Sequence, residues 1–208
     1  MYLYQKINVP ILPQIQNEVL TFFDNHPELL QPEAVHEYFV QMDFDKFPLL
    51  KSFIMPRVLT EIVETSTCFL PGCTNLKLHI DGLKTNNENV PSNRLRANQW
   101  VMVIPIANTE NTVNYWYQND DVSDEDERIV NRVRPEPPYN FYISFVKDNV
   151  KVDPIGSTTL TDITLIKSDI YHNVENKSDK TRLVFIIRFR EDGIYETPAH
   201  VFNYQDLI

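Results

Sequence analysis

Glycine is scarce in this chain: four residues of 208, against fourteen prolines. Loops that cradle phosphates and dinucleotides need several glycines at fixed spacing, so a parallel nucleotide-binding fold is disfavoured. Cysteine is scarcer still. Cys68 and Cys73 do not form a C-x-x-C redox or zinc pair, and there is no second pair. Two thiols without a disulfide, in a reducing compartment, are expected. Positive charge is short: 19 Lys and Arg stand against 29 Asp and Glu, a net charge of −10. Binding a duplex needs a basic face, so nucleic acid is not an expected partner. No apolar run approaches the roughly 18 residues that span a bilayer. The first residues, MYLYQKINVPILPQ, lack a basic segment followed by an apolar one, so neither a signal peptide nor a membrane association is expected. These absences point to a soluble protein of the cytoplasm. They leave its oligomeric state open.

What is present fits one globular domain over residues 1–208. Hydrophobic residues make up 42% and aromatics 12%, enough for a full core. The spacing predicts a short strand over Tyr2 to Val9 and a helix over Ile11 to Asn25, with Ile15, Val19, Leu20, Phe22 and Phe23 on its apolar side. A second helix is expected over Pro32 to Met42, and a mostly helical stretch, broken at Pro56, over Phe47 to Leu70. After Pro71-Gly72 the pattern turns to strands. They are expected over Asn75 to Ile80, Asn98 to Ala107, Thr112 to Gln118, Phe141 to Val146, Ser157 to Ile166 and Arg182 to Arg190. The polar turn Asn108 to Asn111 suggests that the second and third of these form a hairpin. There is no internal repeat and no low-complexity linker. The expected fold class is α+β, mainly β: a helical layer (1–70), an antiparallel β-barrel or jelly roll (71–190) and a C-terminal tail (191–208).

The chemistry-bearing feature is His79-Ile80-Asp81, answered ninety-three residues later by His172. On a strand, residues two apart face the same way, so His79 and Asp81 can grip one ion while Ile80 turns away. Two imidazoles and a carboxylate form the facial set that holds Fe(II) with positions open for oxygen and a co-substrate. An H-x-D tripeptide alone is a common coincidence; it gains weight from its place at the end of an expected strand and from His172 between two apolar runs. His26 and His36, in the helical part, and His200, in the tail, read as surface or capping residues. Arg182 opens the apolar segment RLVFIIRF ten residues after His172. An arbitrary arginine at a strand end is usually a surface residue, but here a guanidinium could hold a carboxylate through two parallel hydrogen bonds. In Tyr115-Trp116-Tyr117, alternation sends the tyrosines to one face and the tryptophan to the other. Core packing is the bland reading, and an inward Tyr115 hydroxyl that binds a co-substrate carboxylate is the functional one. Trp100 reads as core. The run Asp120 to Glu127 holds six acidic residues in eight but lacks the glycine and final glutamate spacing of an EF-hand, so it reads as a solvated loop, with a lid near the site as the functional alternative.

Taken together, His79-x-Asp81, His172 and Arg182 resemble the iron(II)- and 2-oxoglutarate-dependent dioxygenases. The run HNVENKSDKTRLVFIIRF is similar to the corresponding part of the aspartyl/asparaginyl β-hydroxylase branch and of related phage and bacterial oxygenases. WVMVIPIANTENTVNYWY resembles the hairpin after the first two ligands in those relatives. The resemblance covers roughly residues 70–190. It implies a double-stranded β-helix, related to jelly rolls and cupins, with His79, Asp81 and His172 as metal ligands. It also implies Fe(II) as the cofactor, 2-oxoglutarate and O2 as co-substrates, and Arg182 on the far carboxylate of 2-oxoglutarate. Arg94-Leu95-Arg96 echoes an R-L-R segment of that branch, which implies Arg96 as a second co-substrate contact. One departure stands out: that branch often has glycine where this chain keeps Asp81.

The implied activity is hydroxylation of a small molecule or a peptide side chain, with release of succinate and carbon dioxide. Two readings compete with it. A cupin-like metal enzyme that does not use 2-oxoglutarate would give Arg182 no reason to face the metal. A non-catalytic binding module would keep the triad without turnover.

Overall fold

The computed structural model of the protein describes residues 2–76, 78–85, 99–118, 129–136, 139–146, 153–190 and 196–207; for 80–85, 129–136 and 139–146 it describes the backbone alone. Two antiparallel sheets dominate, with a small helical layer on one of them.

The first sheet contains β1 (Tyr4–Ile7), β2 (Tyr38–Gln41), β3 (Ile62–Leu70), β6 (Trp100–Ala107), β11 (Ile163–Lys167) and β13 (Arg182–Phe189), in the order β1-β11-β6-β13-β3-β2. The second runs β10-β7-β12-β5-β9-β8, from β5 (His79–Thr85), β7 (Thr112–Tyr117), β8 (Ile129–Glu136), β9 (Tyr139–Val146), β10 (Pro154–Thr159) and β12 (His172–Asn176), with the short β4 (Thr74–Asn75) also on β12.

Strand alternation divides the core. On β6 and β13, Trp100, Met102, Ile104, Ile106, Leu183, Phe185, Ile187 and Phe189 join an outer cluster against the helices. Their neighbours Val101, Val103, Val184 and Ile186 join an inner cluster with Cys68, Trp116 and Ile166. Period-2 alternation of apolar residues on both faces is what a sheet covered on both sides requires.

Helix α1 (Leu12–Asn25) lays Ile15, Val19 and Phe23 on the outer cluster, one residue per turn on one stripe. Its Glu18 carboxylate accepts from the backbone N–H groups of Leu49 and Leu50 at 2.8 and 3.0 Å, which satisfies the open N-terminus of α2 (Pro48–Ile54). Pro105 sits within an interior strand, where a missing N–H breaks the ladder. The register between β6 and β13 shifts there, and Gln16 donates to the Pro105 carbonyl at 3.0 Å.

Several expectations need correction. Pro32 to Met42 is not a helix: Tyr38–Gln41 is a strand on the edge of β3, and the Tyr38 ring stacks on Phe69 with centroids 4.6 Å apart. Phe47 to Leu70 is helical only over Pro48–Ile54 and a short 3-10 turn, and Ile62–Leu70 is a strand. Strands β1, β2 and β3 of the first sheet thus all lie before residue 71. Helical spacing of Leu59, Ile62 and Val63 is outweighed by the β-branched Val63, Thr65 and Thr67, which fit a strand paired on both sides. Ser157 to Ile166 is two strands in different sheets, and Ile129–Glu136 is a strand that the sequence reading did not separate. The supposed hairpin at Asn108 to Asn111 also crosses between sheets: β6 lies in the first and β7 in the second. Asn108, at φ 55°, takes the left-handed conformation at that crossing, one that asparagine tolerates. Among the described residues no helix is long and apolar enough to cross a membrane.

Candidate metal and carboxylate site

The crossovers bring His79, His172 and Arg182 to one cavity between the two sheets. β12 lies between β7 and β5, and His172 is the register partner of His79 on one side and of Trp116 on the other. Both histidines are buried, and their ring centroids are 4.3 Å apart. Two imidazoles bound side by side to one ion, with nitrogens at about 2.1 Å, set their centroids about 4.5 Å apart, so the pair fits a shared metal. The His172 Nδ1 lies 2.8 Å from the Ile170 carbonyl oxygen. A carbonyl only accepts, so Nδ1 carries the proton, and in the neutral ring Nε2 holds the lone pair a metal needs.

Asp81 stands two residues along β5 from His79, with Ile143 of β9 as register partner; its side chain lies outside the described residues. Among the described residues no three His, Cys, Asp or Glu side chains form a metal-holding group. Arg96 and the acidic run Asp120 to Glu127 also lie outside the described residues.

Arg182 reaches the same place from the opposite sheet. It opens β13 opposite Leu70 and lines a cavity of about 60 Å³ together with His79 and His172. Room for one water takes about 10–15 Å³ of such space, so the cavity has the scale of a small polar ligand group rather than of a packing defect. The Arg182 side chain is 3% exposed, and its Nε–H has no hydrogen-bond partner. Burial pulls its pKa down, while Cys68 and Glu37 act in the other direction. An arginine does not give up its proton, so the cost of burial stays with the cation until an anion meets it. Arg188, on the same side of β13, also lines the cavity, but it faces Glu64 at 3.3 Å. The cavity thus has an ion-paired cation at one end of β13 and, at the other, one that forms no ion pair among the described residues, with Glu37 also on the cavity wall.

The turn before Arg182 is held firmly. Asn176 Nδ2 donates to the carbonyls of Leu70, Pro71 and Lys180 at 2.9–3.1 Å, and its Oδ1 accepts from the Ser178 N–H. The Cys73 N–H donates to the Ser178 carbonyl at 2.7 Å. A Cβ on Gly72 would lie 2.3 Å from the Asp179 carbonyl oxygen, so only glycine permits this approach.

Tyr115 is a correction. It projects from the other face of β7, where its hydroxyl donates to Glu175 at 3.1 Å and accepts from Lys177 at 3.1 Å. Tyr117 donates to Asn173 on the same face at 3.0 Å. The inward residues are Thr112, Asn114 and Trp116, all buried. Trp116 can face inward because its single donor reaches the Lys167 carbonyl at 2.8 Å. Trp100 is core, as expected, and fully buried. The residue that sequence reasoning missed is Asn114, which lines the cavity. Its signal was an asparagine in phase with Trp116 in an otherwise aromatic and β-branched strand.

No protein-family model matches the chain, and no curated protein does. Among solved structures it is similar to SnoK, a non-heme α-ketoglutarate-dependent carbocyclase from nogalamycin biosynthesis, at 12% identity over 89% of this chain and 78% of that one, with a TM-score of 0.47. It is similar to iron-bound HygX from Streptomyces hygroscopicus at 12% identity over 99% and 94%, TM-score 0.42. It is also similar to an L-ribose isomerase from Cellulomonas parahominis at 7% identity over 94% and 90%, TM-score 0.37. At identities and scores this low, the chain's own residues must carry any reading of its chemistry.

Proposed function

We propose that residues 1–208 form one oxygenase domain, a double-stranded β-helix with a helical layer, which uses Fe(II), 2-oxoglutarate and O2 to hydroxylate a small molecule or a peptide side chain. The observation that carries this reading is Arg182: a buried guanidinium, in no ion pair among the described residues, in the same cavity as two adjacent buried histidines. A metal enzyme working without a carboxylate co-substrate leaves that charge only Glu37 on the cavity wall. The resemblance of residues 172–189 to the aspartyl/asparaginyl β-hydroxylase branch favours the same class, while Asp81 departs from that branch.

In this reading His79, Asp81 and His172 hold the metal, and Arg182 pairs with the far carboxylate of 2-oxoglutarate. Arg96 is a second candidate for that co-substrate. When bound, iron and 2-oxoglutarate together supply oxygen activation, with succinate and carbon dioxide as by-products. The protein's own residues do the rest. The Ile170 carbonyl fixes the His172 tautomer and ring angle. Arg182 sets the direction of the co-substrate from the opposite sheet. Val101, Val103, Ile166 and Ile186 line the cavity with apolar surface that keeps water from the reacting atoms.

The test is a titration with Mn(II) and 2-oxoglutarate without oxygen, followed by succinate release with Fe(II) in air. Both ligands should bind, and slow succinate release should occur even without the primary substrate. A folded His79→Ala protein should lose the metal; if it binds Mn(II) like the parent, the metal assignment is wrong. Metal binding without 2-oxoglutarate binding would point instead to a cupin-like enzyme of another chemistry. Binding of both without succinate would point to a non-catalytic module.

A further inference from the structure

Both polar atoms of the Asn114 carboxamide, Nδ2 and Oδ1, are buried without a hydrogen-bond partner, and the residue is 1% exposed. Buried amides are nearly always paired, because leaving one unpaired costs its desolvation. A strand interior that needed only packing would be better served by leucine or valine at this position.

The register locates the orphaned group. β7 runs antiparallel to β12, with Trp116 opposite His172, Asn114 opposite Val174 and Thr112 opposite Asn176. Asn114 therefore lies one inward step from His172 toward the end of β12 from which the chain turns into β13, and Arg182 is the first residue after that turn. A ligand that touches the metal at His172 and the guanidinium at Arg182 must pass this row. Asn114 and Arg182 line one cavity from opposite sheets, and each presents an unpartnered donor. Thr112, one further step along, also carries a buried hydroxyl without a partner.

We propose that Asn114 is a second recognition residue for the carboxylate-bearing co-substrate. Its Nδ2 donates to a carboxylate oxygen of that ligand, so that the ligand is gripped from both sheets. The inference rests on the oxygenase reading above.

The experiment is calorimetric titration of 2-oxoglutarate into the Mn(II)-loaded protein, with thermal melting run in parallel. Asn114→Leu keeps the volume and removes both orphaned atoms. It should melt no lower than the parent, bind Mn(II) equally, and bind 2-oxoglutarate at least about tenfold more weakly, the worth of one hydrogen bond to a charged acceptor. Asn114→Asp should lose 2-oxoglutarate further through repulsion. Asn114→Thr, which keeps a donor on a strand-favouring residue, should fall between Leu and the parent. If Asn114→Leu does not fold, Asn114→Thr and Asn114→Asp decide the matter by their ranking. Unchanged 2-oxoglutarate affinity in folded variants overturns the role of Asn114 and leaves the oxygenase reading standing. A parent protein that binds Mn(II) but no 2-oxoglutarate overturns both.

Discussion

The two faces of β13 differ although they come from one eight-residue strand. On the outer face, Leu183, Phe185, Ile187 and Phe189 pack against the helical layer, and Phe185 meets the rings of Phe44 and Phe47 at 6.3 and 5.2 Å. On the inner face, Val184 and Ile186 lie between Arg182 and Arg188, and a cavity remains. The outer face is apolar throughout and has no polar group to satisfy. The inner face keeps a buried cation that forms no ion pair among the described residues and shares its cavity with an asparagine that has no partner. One face is organised for stability and the other tolerates instability for the sake of what it binds, a division expected wherever a ligand site is built into a core.

The strongest way to break this comparison is to exchange the roles of the two faces. Phe185→Ala should lower unfolding free energy by about 3–5 kcal/mol in urea denaturation, because the ring is fully buried and its cavity cannot collapse. The folded fraction should bind Mn(II) and 2-oxoglutarate as the parent does. Arg182→Met should behave in the opposite way. Melting should be unchanged or higher, since a buried charge with no ion pair among the described residues is removed, while 2-oxoglutarate affinity falls at least about a hundredfold in calorimetry. Equal losses of stability in both variants would erase the distinction between the faces.

Smaller effects sharpen it. Glu18→Ala removes the cap of α2 on the outer side and should cost about 1–2 kcal/mol in the same denaturation assay, without touching ligand binding. The smallest effect concerns Asp169, in the segment that leads into β12. Burial raises its carboxyl pKa, against the pull of Lys167 at 3.3 Å. Folding therefore favours the protonated acid. That contribution is complete below the ordinary aspartate value and is lost as pH rises through the raised one. The melting temperature of the parent relative to Asp169→Asn should fall with rising pH across that window and then level off. A difference independent of pH would mean that Asp169 keeps its ordinary acidity in the fold.

Much of the site was legible in the sequence, and the reasons are local. His79 and Asp81 lie two apart on a strand, His172 lies between two apolar runs and Arg182 opens an apolar strand, so period-2 alternation alone suggested their facing. The structure pairs His79 with His172 in register and brings Arg182 to their cavity. Tyr115 was misread because alternation fixes which residues share a face but not which face is inside. That choice depended on Trp116, whose N–H finds the Lys167 carbonyl fifty-one residues away. Asn114 was overlooked for the same reason. The strands at Tyr38–Gln41 and Ile62–Leu70 were read as helix because an apolar residue every three or four positions also suits a strand that is buried on both sides or stacked on an aromatic partner.

By itself, the sequence determined the residue types of the site, their alternation on strands and the absence of glycine-rich or strongly basic machinery. Those follow from composition and from the two-residue repeat of an extended chain. Tertiary structure alone decided that β6 and β7, β10 and β11, and β12 and β13 lie in opposite sheets. It also decided which face of β7 is inside and that Arg182 and Asn114 meet one cavity without partners of their own. Those outcomes depend on contacts between residues far apart in the chain, where burial and hydrogen-bond satisfaction are settled jointly and no local pattern carries the information.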